Sequence, residues 1–186
     1  TDMCWDELPK LTGFHEFGTD RPRPAAVRTA WRVGFDRSGL YLAIRNHEEH
    51  PDKIRAKVTK RDGADLWRDD SVELYFSPGP EALRSYRKLS INAGGTQRDQ
   101  LWQGHGEADT GWDAGGWSSG VSRDDGGWTV EMHVPWSDLG ATPEEGDLWR
   151  FALIRYSYTQ GTRFAASAFG AQFDAPAAVH DGQAVG

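Results

Sequence analysis

The stretch "AVRTAWRVGFDRSGLYLAIRN", Ala26 to Asn46, decides the fold class. Val27, Thr29, Trp31, Val33 and Phe35 alternate with Arg28, Ala30, Arg32 and Gly34, the period of a half-buried strand. Asp36 to Gly39, "DRSG", is turn chemistry, and Leu40, Leu42 and Ile44 then return on one face, so the two runs form a hairpin. The pattern recurs downstream. Ser71–Phe76 reads as a strand with Val72, Leu74 and Phe76 inward, and "YRKLSINAGG" as another with Leu89 and Ile91 inward. "WSSGVSR" and "WTVEMHV" flank "DDGG" as a second hairpin, with Trp128, Val130, Met132 and Val134 inward. Pro135 ends that strand, "WSDLG" makes one short helical turn, and "LWRFALIRYSY" is a long apolar strand. A weaker strand is expected at Ile54, Ala56 and Val58, while 94–116 and the C-terminal part read as irregular. These elements predict an all-β, two-sheet antiparallel sandwich, immunoglobulin- or jelly-roll-like, with a closed barrel as the alternative. No repeat or linker divides the chain, so residues 1–186 read as one domain.

Composition narrows the function. The chain has 186 residues, nine tryptophans and 22 glycines, in keeping with many short strands and tight turns. A formal net charge of −7 argues against a nucleic-acid partner, which needs cations for its phosphates. No apolar run approaches the roughly 20 residues of a membrane span, so no membrane partner is expected. "TDMCWDELPK" has no apolar leader segment, and the chain reads as a trimmed product or a domain of something longer. Cys4 is the single cysteine, which leaves no intrachain disulfide to consider.

A polar sheet face carries the functional signal. If Ser71–Phe76 pairs with Ser85–Ala93, then Glu73, Tyr75, Ser90 and Asn92 share one surface, with Trp67 in "LWRDD" just ahead of the strand. An ordinary solvated face is the commoner outcome for such a strand. Here a carboxylate, an amide, hydroxyls and an indole gather together. Sugar hydroxyls both donate and accept, and the C–H face of a pyranose lies flat on an aromatic ring. The inventory therefore fits an oligosaccharide or polysaccharide.

In order, "LWRDDSVELYFSP", "LSINAGG", "GWTVEMHVPWSDLG" and "FDAP" resemble the landmarks of family 9 carbohydrate-binding modules, and the hairpin from Val27 fits that family's opening strands. The resemblance implies a non-catalytic β-sandwich that grips the end of a glycan between two aromatic rings. It also implies attachment to or association with a polysaccharide-degrading enzyme and an extracellular or periplasmic location; no cofactor is required, although members of the family often hold structural calcium. Matched residue by residue, Trp67 is the first ring, Glu73 the carboxylate for sugar hydroxyls, Asn92 a polar residue of the next strand and Phe173 the second ring. The sequence departs from the pattern at Ser90, where the family has an arginine, and at Gly170, where it has an asparagine. Arg68, Arg87, Lys88 and Gln172 are the candidates to replace those donors.

Rival chemistries are weaker. A glycosidase needs two carboxylates flanking one bond, and Glu73 and Glu131 are the outward candidates, with Asp69 and Asp70 nearby. Asp62, Asp65, Asp69 and Asp70 are hard oxygen ligands at short spacing, the calcium candidates. In "HEEH", His47 to His50, the histidines are three apart rather than four, so the segment reads as a solvated loop. A haem-binding sandwich relative would need an axial ligand, and Met132 alternates inward as core. Trp31, Trp128 and Trp149 read as core, whereas Trp102, Trp112 and Trp117 either cap a sheet or extend the site.

Overall fold

The computed structural model describes residues 5–16, 23–78, 85–103, 107–109, 111–159 and 163–173, the last segment by its backbone. In chain order the strands are β1 (His15–Glu16), β2 (Thr29–Phe35), β3 (Gly39–His47), β4 (Ser71–Ser77), β5 (Ser85–Asn92), β6 (Gln97–Gln103), β7 (Glu107–Asp109), β8 (Ser118–Asp124) and β9 (Gly127–Pro135). A four-residue helix α1 (Trp136–Leu139) follows, then β10 (Asp147–Ser157) and β11 (Arg163–Phe173). One sheet has seven strands in the order β1-β11-β10-β4-β5-β6-β7, and the other has four in the order β2-β3-β9-β8. Neighbouring strands are antiparallel throughout. The expected sandwich with one helical turn is what the chain forms.

The two sheets meet through the alternating apolar positions. Leu42, Ile44, Val130 and Val134 from the small sheet, and Val72, Leu74, Leu89 and Leu153 from the large one, are fully out of water. Trp31 of β2 stacks on Phe151 of β10 at 5.1 Å, and Phe76 of β4 meets the same ring at 4.7 Å, so aromatic contacts cross between the layers. Trp128 and Trp149 are core as the alternation predicts, and Trp117 joins them at 5% exposure. Trp112 packs on that core from the side. At the "DDGG" turn, Gly127 has φ 134, and a Cβ there would stand 2.1 Å from the Asn46 carbonyl oxygen. Only glycine fits that corner.

Three local expectations change. Ile54, Ala56 and Val58 do not form a strand. The Arg55 and Val58 amides donate to the carboxylates of Asp70 and Asp69 instead of to a neighbouring strand, each at 2.8 Å. The stretch read as irregular holds β6 and β7, and the C-terminal part holds β11. β6, "QRDQLWQ", is mostly polar, and β11, "RFAASAFGAQF", is rich in alanine and glycine, so neither shows apolar alternation. "HEEH" is not wholly solvated either, since Glu48 is 7% exposed.

Glu48 is buried because Arg155 of β10 points into the gap between the sheets at 0% exposure. Its guanidinium pairs with Glu48 Oε1 and donates to the carbonyls of Arg28 and His47 at 2.8 and 2.9 Å. It also donates to the Thr29 hydroxyl at 3.0 Å. Ser157 Oγ donates to the same carboxylate at 3.0 Å, and Thr159 Oγ1 to its other oxygen. Burial pulls the Arg155 pKa down, and the Glu48 charge pulls it back up. Removing one partner of such a pair leaves an uncompensated buried charge. Arg155→Met should therefore cost about 3–5 kcal/mol in urea unfolding, a large part of the roughly 5–15 kcal/mol of an ordinary domain. A loss below about 1 kcal/mol would mean that this pair does not tie the sheets together.

Candidate functional site

The outer face of the seven-stranded sheet is built by strand parity. With Val72, Leu74 and Phe76 inward, Ser71, Glu73 and Tyr75 of β4 face out. The register sets Ser90 and then Arg98 beside Glu73 on one side, and Ile154 on the other. The expected pairing of Glu73, Tyr75, Ser90 and Asn92 on one face is present in the register. What these residues do there differs from one to the next.

Glu73 is 2% exposed and engaged by protein. Its Oε2 accepts from the hydroxyls of Tyr75 at 2.6 Å and Tyr156 at 3.0 Å, and Lys88 Nζ lies 2.6 Å from its Oε1. Burial, and then the Glu73 charge, push the phenols of Tyr75 and Tyr156 up, so both remain proton donors far above neutral pH. Lys88 lies 5.5 Å from the centre of the Tyr75 ring, and Tyr75 packs at 5.7 Å on Tyr86. Tyr86 stacks at 5.6 Å on Trp102 of β6. Glu73 is thus the anchor of an aromatic row across three strands.

Asn92 is not a ligand contact, which corrects the expectation. It is 0% exposed, and its Nδ2 donates to Val58 O at 2.9 Å and Asp69 Oδ2 at 3.0 Å. Its Oδ1 accepts from the amides of Gly94 and Thr96 at 3.0 and 2.9 Å, so the whole amide is used. Ser90 is 2% exposed beneath its neighbours.

The four aspartates do not converge on a cation. Asp69 Oδ2 holds the Val58 amide and Asn92. Asp70 holds the amides of Arg55 and Tyr158 at 2.8 and 2.9 Å; burial pushes its carboxyl up, and these bonds pull it back. Asp62 lies 3.7 Å from Arg61 and accepts from the Asp99 amide at 3.3 Å, while Asp65 lies 3.3 Å from Arg68. Among the described residues no three acidic, histidine or cysteine side chains gather as a metal would require. The donor set does not fit calcium, because Asp69 and Asp70 accept from N–H groups and Asp62 and Asp65 do not gather with them. The hydrolase alternative fails on placement: Glu73 faces out from one sheet and Glu131 from the other, with the core between them. Met132, at 3% exposure, belongs to that core and not to a haem.

Trp67 stands apart from these spent groups. It lies in a short 3-10 turn, Leu66–Arg68, anchored by Leu66 at 1% exposure, and is itself 40% exposed. Among the described residues it is the exposed aromatic. Tyr158 Oη donates to the Trp67 carbonyl at 3.0 Å. The Arg68 guanidinium lies 5.1 Å from the indole centre, and that of Arg55 5.4 Å from the Tyr158 ring. Two rings and two guanidiniums therefore crowd one corner of the face.

Phe173 is not at that corner. It pairs with Asp147, nine residues along β11 from Phe164, the partner of Tyr156. At about 3.3 Å per residue the two positions are on the order of 30 Å apart. Trp67 sits at the Tyr156 end, since Ser71 pairs with Tyr156. The register rules out one sugar held between Trp67 and Phe173. "FDAP" beyond Phe173 lies outside the described residues. Tyr156, Tyr158 and Arg55 were not singled out from sequence, although the alternation of "LIRYSY" against Leu153 already put both tyrosines on the face of Glu73.

The chain belongs to the carbohydrate family 9 binding domain-like family, whose model matches residues 1–174. This is a family of non-catalytic carbohydrate-binding modules. Among solved structures it is similar to a Bacteroides uniformis protein inferred to bind carbohydrate, with a TM-score of 0.70 and 17% identity over 92% of this chain and 84% of that one. It is also similar to a family 9 carbohydrate-binding module of Caldicellulosiruptor kristjanssonii. The glucose complex of that module gives a TM-score of 0.62 and 14% identity over 90% of this chain and 77% of the other. Its cellotriose complex gives 0.59 and 13%, over 90% and 75%. No curated protein matches the sequence.

The Glu73 cluster makes a stability prediction. Glu73→Gln leaves Lys88, 14% exposed in its side chain, without its counter-charge and should cost about 3 kcal/mol in chemical denaturation. Adding Lys88→Met should recover most of that loss. If Glu73→Gln unfolds like the parent, the carboxylate is not the anchor of the tyrosines.

Proposed function

We propose that the outer face of the seven-stranded sheet binds a neutral oligosaccharide, with one sugar ring stacked on Trp67 and its hydroxyls taken by Arg55, Arg68 and Tyr158. The exposed indole, with the Arg68 guanidinium beside it and Arg55 over the neighbouring Tyr158 ring, carries this reading. An apolar C–H face needs a flat ring, and vicinal hydroxyls offer lone pairs to the fork of a guanidinium. Glu73 acts behind this surface as a positioning residue for Tyr75 and Tyr156. With a single platform in place of a two-ring clamp, internal sugar units have access as well as chain ends. Family membership supports the ligand class, and the glucose and cellotriose complexes of the related module point to gluco-oligosaccharides as first probes. The proposal includes the family's usual setting: a partner polysaccharide-degrading enzyme and an extracellular or periplasmic location.

Burial of one indole face contributes on the order of 1.5–3 kcal/mol. Trp67→Ala should therefore weaken cellotriose binding at least tenfold by calorimetry, with circular dichroism unchanged, while Phe173→Ala leaves affinity as it was. Undiminished binding by Trp67→Ala would remove this face as the site. A loss confined to Phe173→Ala would reinstate the second ring.

A further inference from the structure

The four-stranded sheet has an outer face with a built feature of its own. In the register Glu131 of β9 stands between Ala43 of β3 and Gly120 of β8, two residues too small to fill the space beside it. A Cβ placed on Gly120 meets no heavy atom within 4 Å. The result is a cleft of about 210 Å³ lined by Trp5, Tyr41, Ser118, Gly120, Glu131 and His133. We propose that this cleft is a second saccharide site, one that takes a single neutral sugar ring on the face opposite Trp67.

The walls are fixed by bonds within the protein. Trp5 Nε1 donates to Glu131 Oε1 at 2.7 Å. The 3-10 turn carrying Trp5 is tied to β2 by Arg32, which donates to Leu8 O at 3.2 Å and lies 3.4 Å from Asp6. On the other side the Tyr41 and His133 rings stack at 4.6 Å and 26°. Ser38 Oγ lies 3.0 Å from Tyr41 Oη and 3.2 Å from His133 Nε2, and Tyr41 Oη donates to Asp36 Oδ2 at 3.2 Å. Aromatic walls on two sides are thereby held before any ligand arrives, which lowers the cost of binding.

The chemistry selects the occupant. An indole and a stacked ring pair suit the C–H surface of a pyranose. Glu131 accepts hydroxyls, and the Ser118 hydroxyl both donates and accepts. Among the lining residues Glu131 is the one acid, too little for a hard cation that wants six or more oxygens. The volume falls below the roughly 300–1,000 Å³ of pockets for drug-sized ligands, so one ring fits and an oligomer lies mostly outside. Two sites on opposite faces would let one domain join two glycan chains.

The test uses Trp67→Ala as background, so that the first face is silent. The indole N–H resonance of Trp5, assigned by its loss in Trp5→Phe, is followed in nitrogen–proton correlation spectra. D-glucose, D-galactose, D-mannose and D-xylose are added separately to millimolar levels. At least one should shift the Trp5 resonance saturably, and Gly120→Leu, which fills the cleft from a position with open space, should weaken that response at least tenfold. Gly120→Leu in the otherwise native chain should bind cellotriose at the Trp67 face as before. No saturable shift with any of the four sugars overturns the proposal, and so does a shift that Gly120→Leu leaves intact. Loss of cellotriose binding by Gly120→Leu in the otherwise native chain would instead refute the Trp67 reading, since the ligand would then sit in the cleft, so the two failures are distinguishable.

Discussion

Two adjacent carboxylates, Asp69 and Asp70, hold together the end of the molecule where Trp67 is presented. As neighbours entering a strand they point to opposite sides, and both are 0% exposed. Asp69 takes the Val58 amide and the Asn92 side chain, and Asp70 takes the amides of Arg55 and Tyr158. Through Asn92 the same knot reaches Gly94 and Thr96 at the turn between β5 and β6. Loop, 3-10 turn, sheet turn and the end of β10 are thus joined around two residues. The amides involved have no strand partner, and an unpaired buried N–H is expensive, so charged acceptors are a physical necessity here. Bonds to ionised acceptors are also stronger than neutral ones.

The same logic governs the rest of the buried charge. Glu73 on the outer face and Glu48 between the sheets are each met by one cation and by hydroxyls. On the large sheet, the carboxylates that look like chemistry in the sequence, Glu73, Asp69 and Asp70, are spent on architecture. What remains for a ligand on the large sheet is a ring with guanidiniums beside it, an arrangement suited to holding a sugar without reacting with it. Catalysis on a glycosidic bond would need two carboxylates with free lone pairs at one place.

Strand positions were legible wherever one face is apolar and the other polar, as in β2, β3, β4, β5, β9 and β10. Period-two alternation is a direct record of burial. β6 and β11 were illegible for the same reason, because a polar strand and an alanine-rich strand carry no such record. Trp67 was legible as a surface ring since it precedes the alternating run. The roles of Glu73 and Asn92 were not, because their partners come from residues far away in sequence: Tyr156, Val58 and Asp69. The placement of Phe173 depended on the pairing of β10 with β11, a long-range register that local pattern does not encode.

In the proposed function the clasped corner around Trp67 is where a sugar rests. A crystal structure of the domain grown with cellotriose addresses that claim most directly. Electron density for a pyranose lying flat on the Trp67 indole, with hydroxyls at hydrogen-bond distance from Arg55, Arg68 or Tyr158, is the predicted result. A sugar bound at the Phe173 end of the sheet, with the Trp67 ring bare, would contradict it.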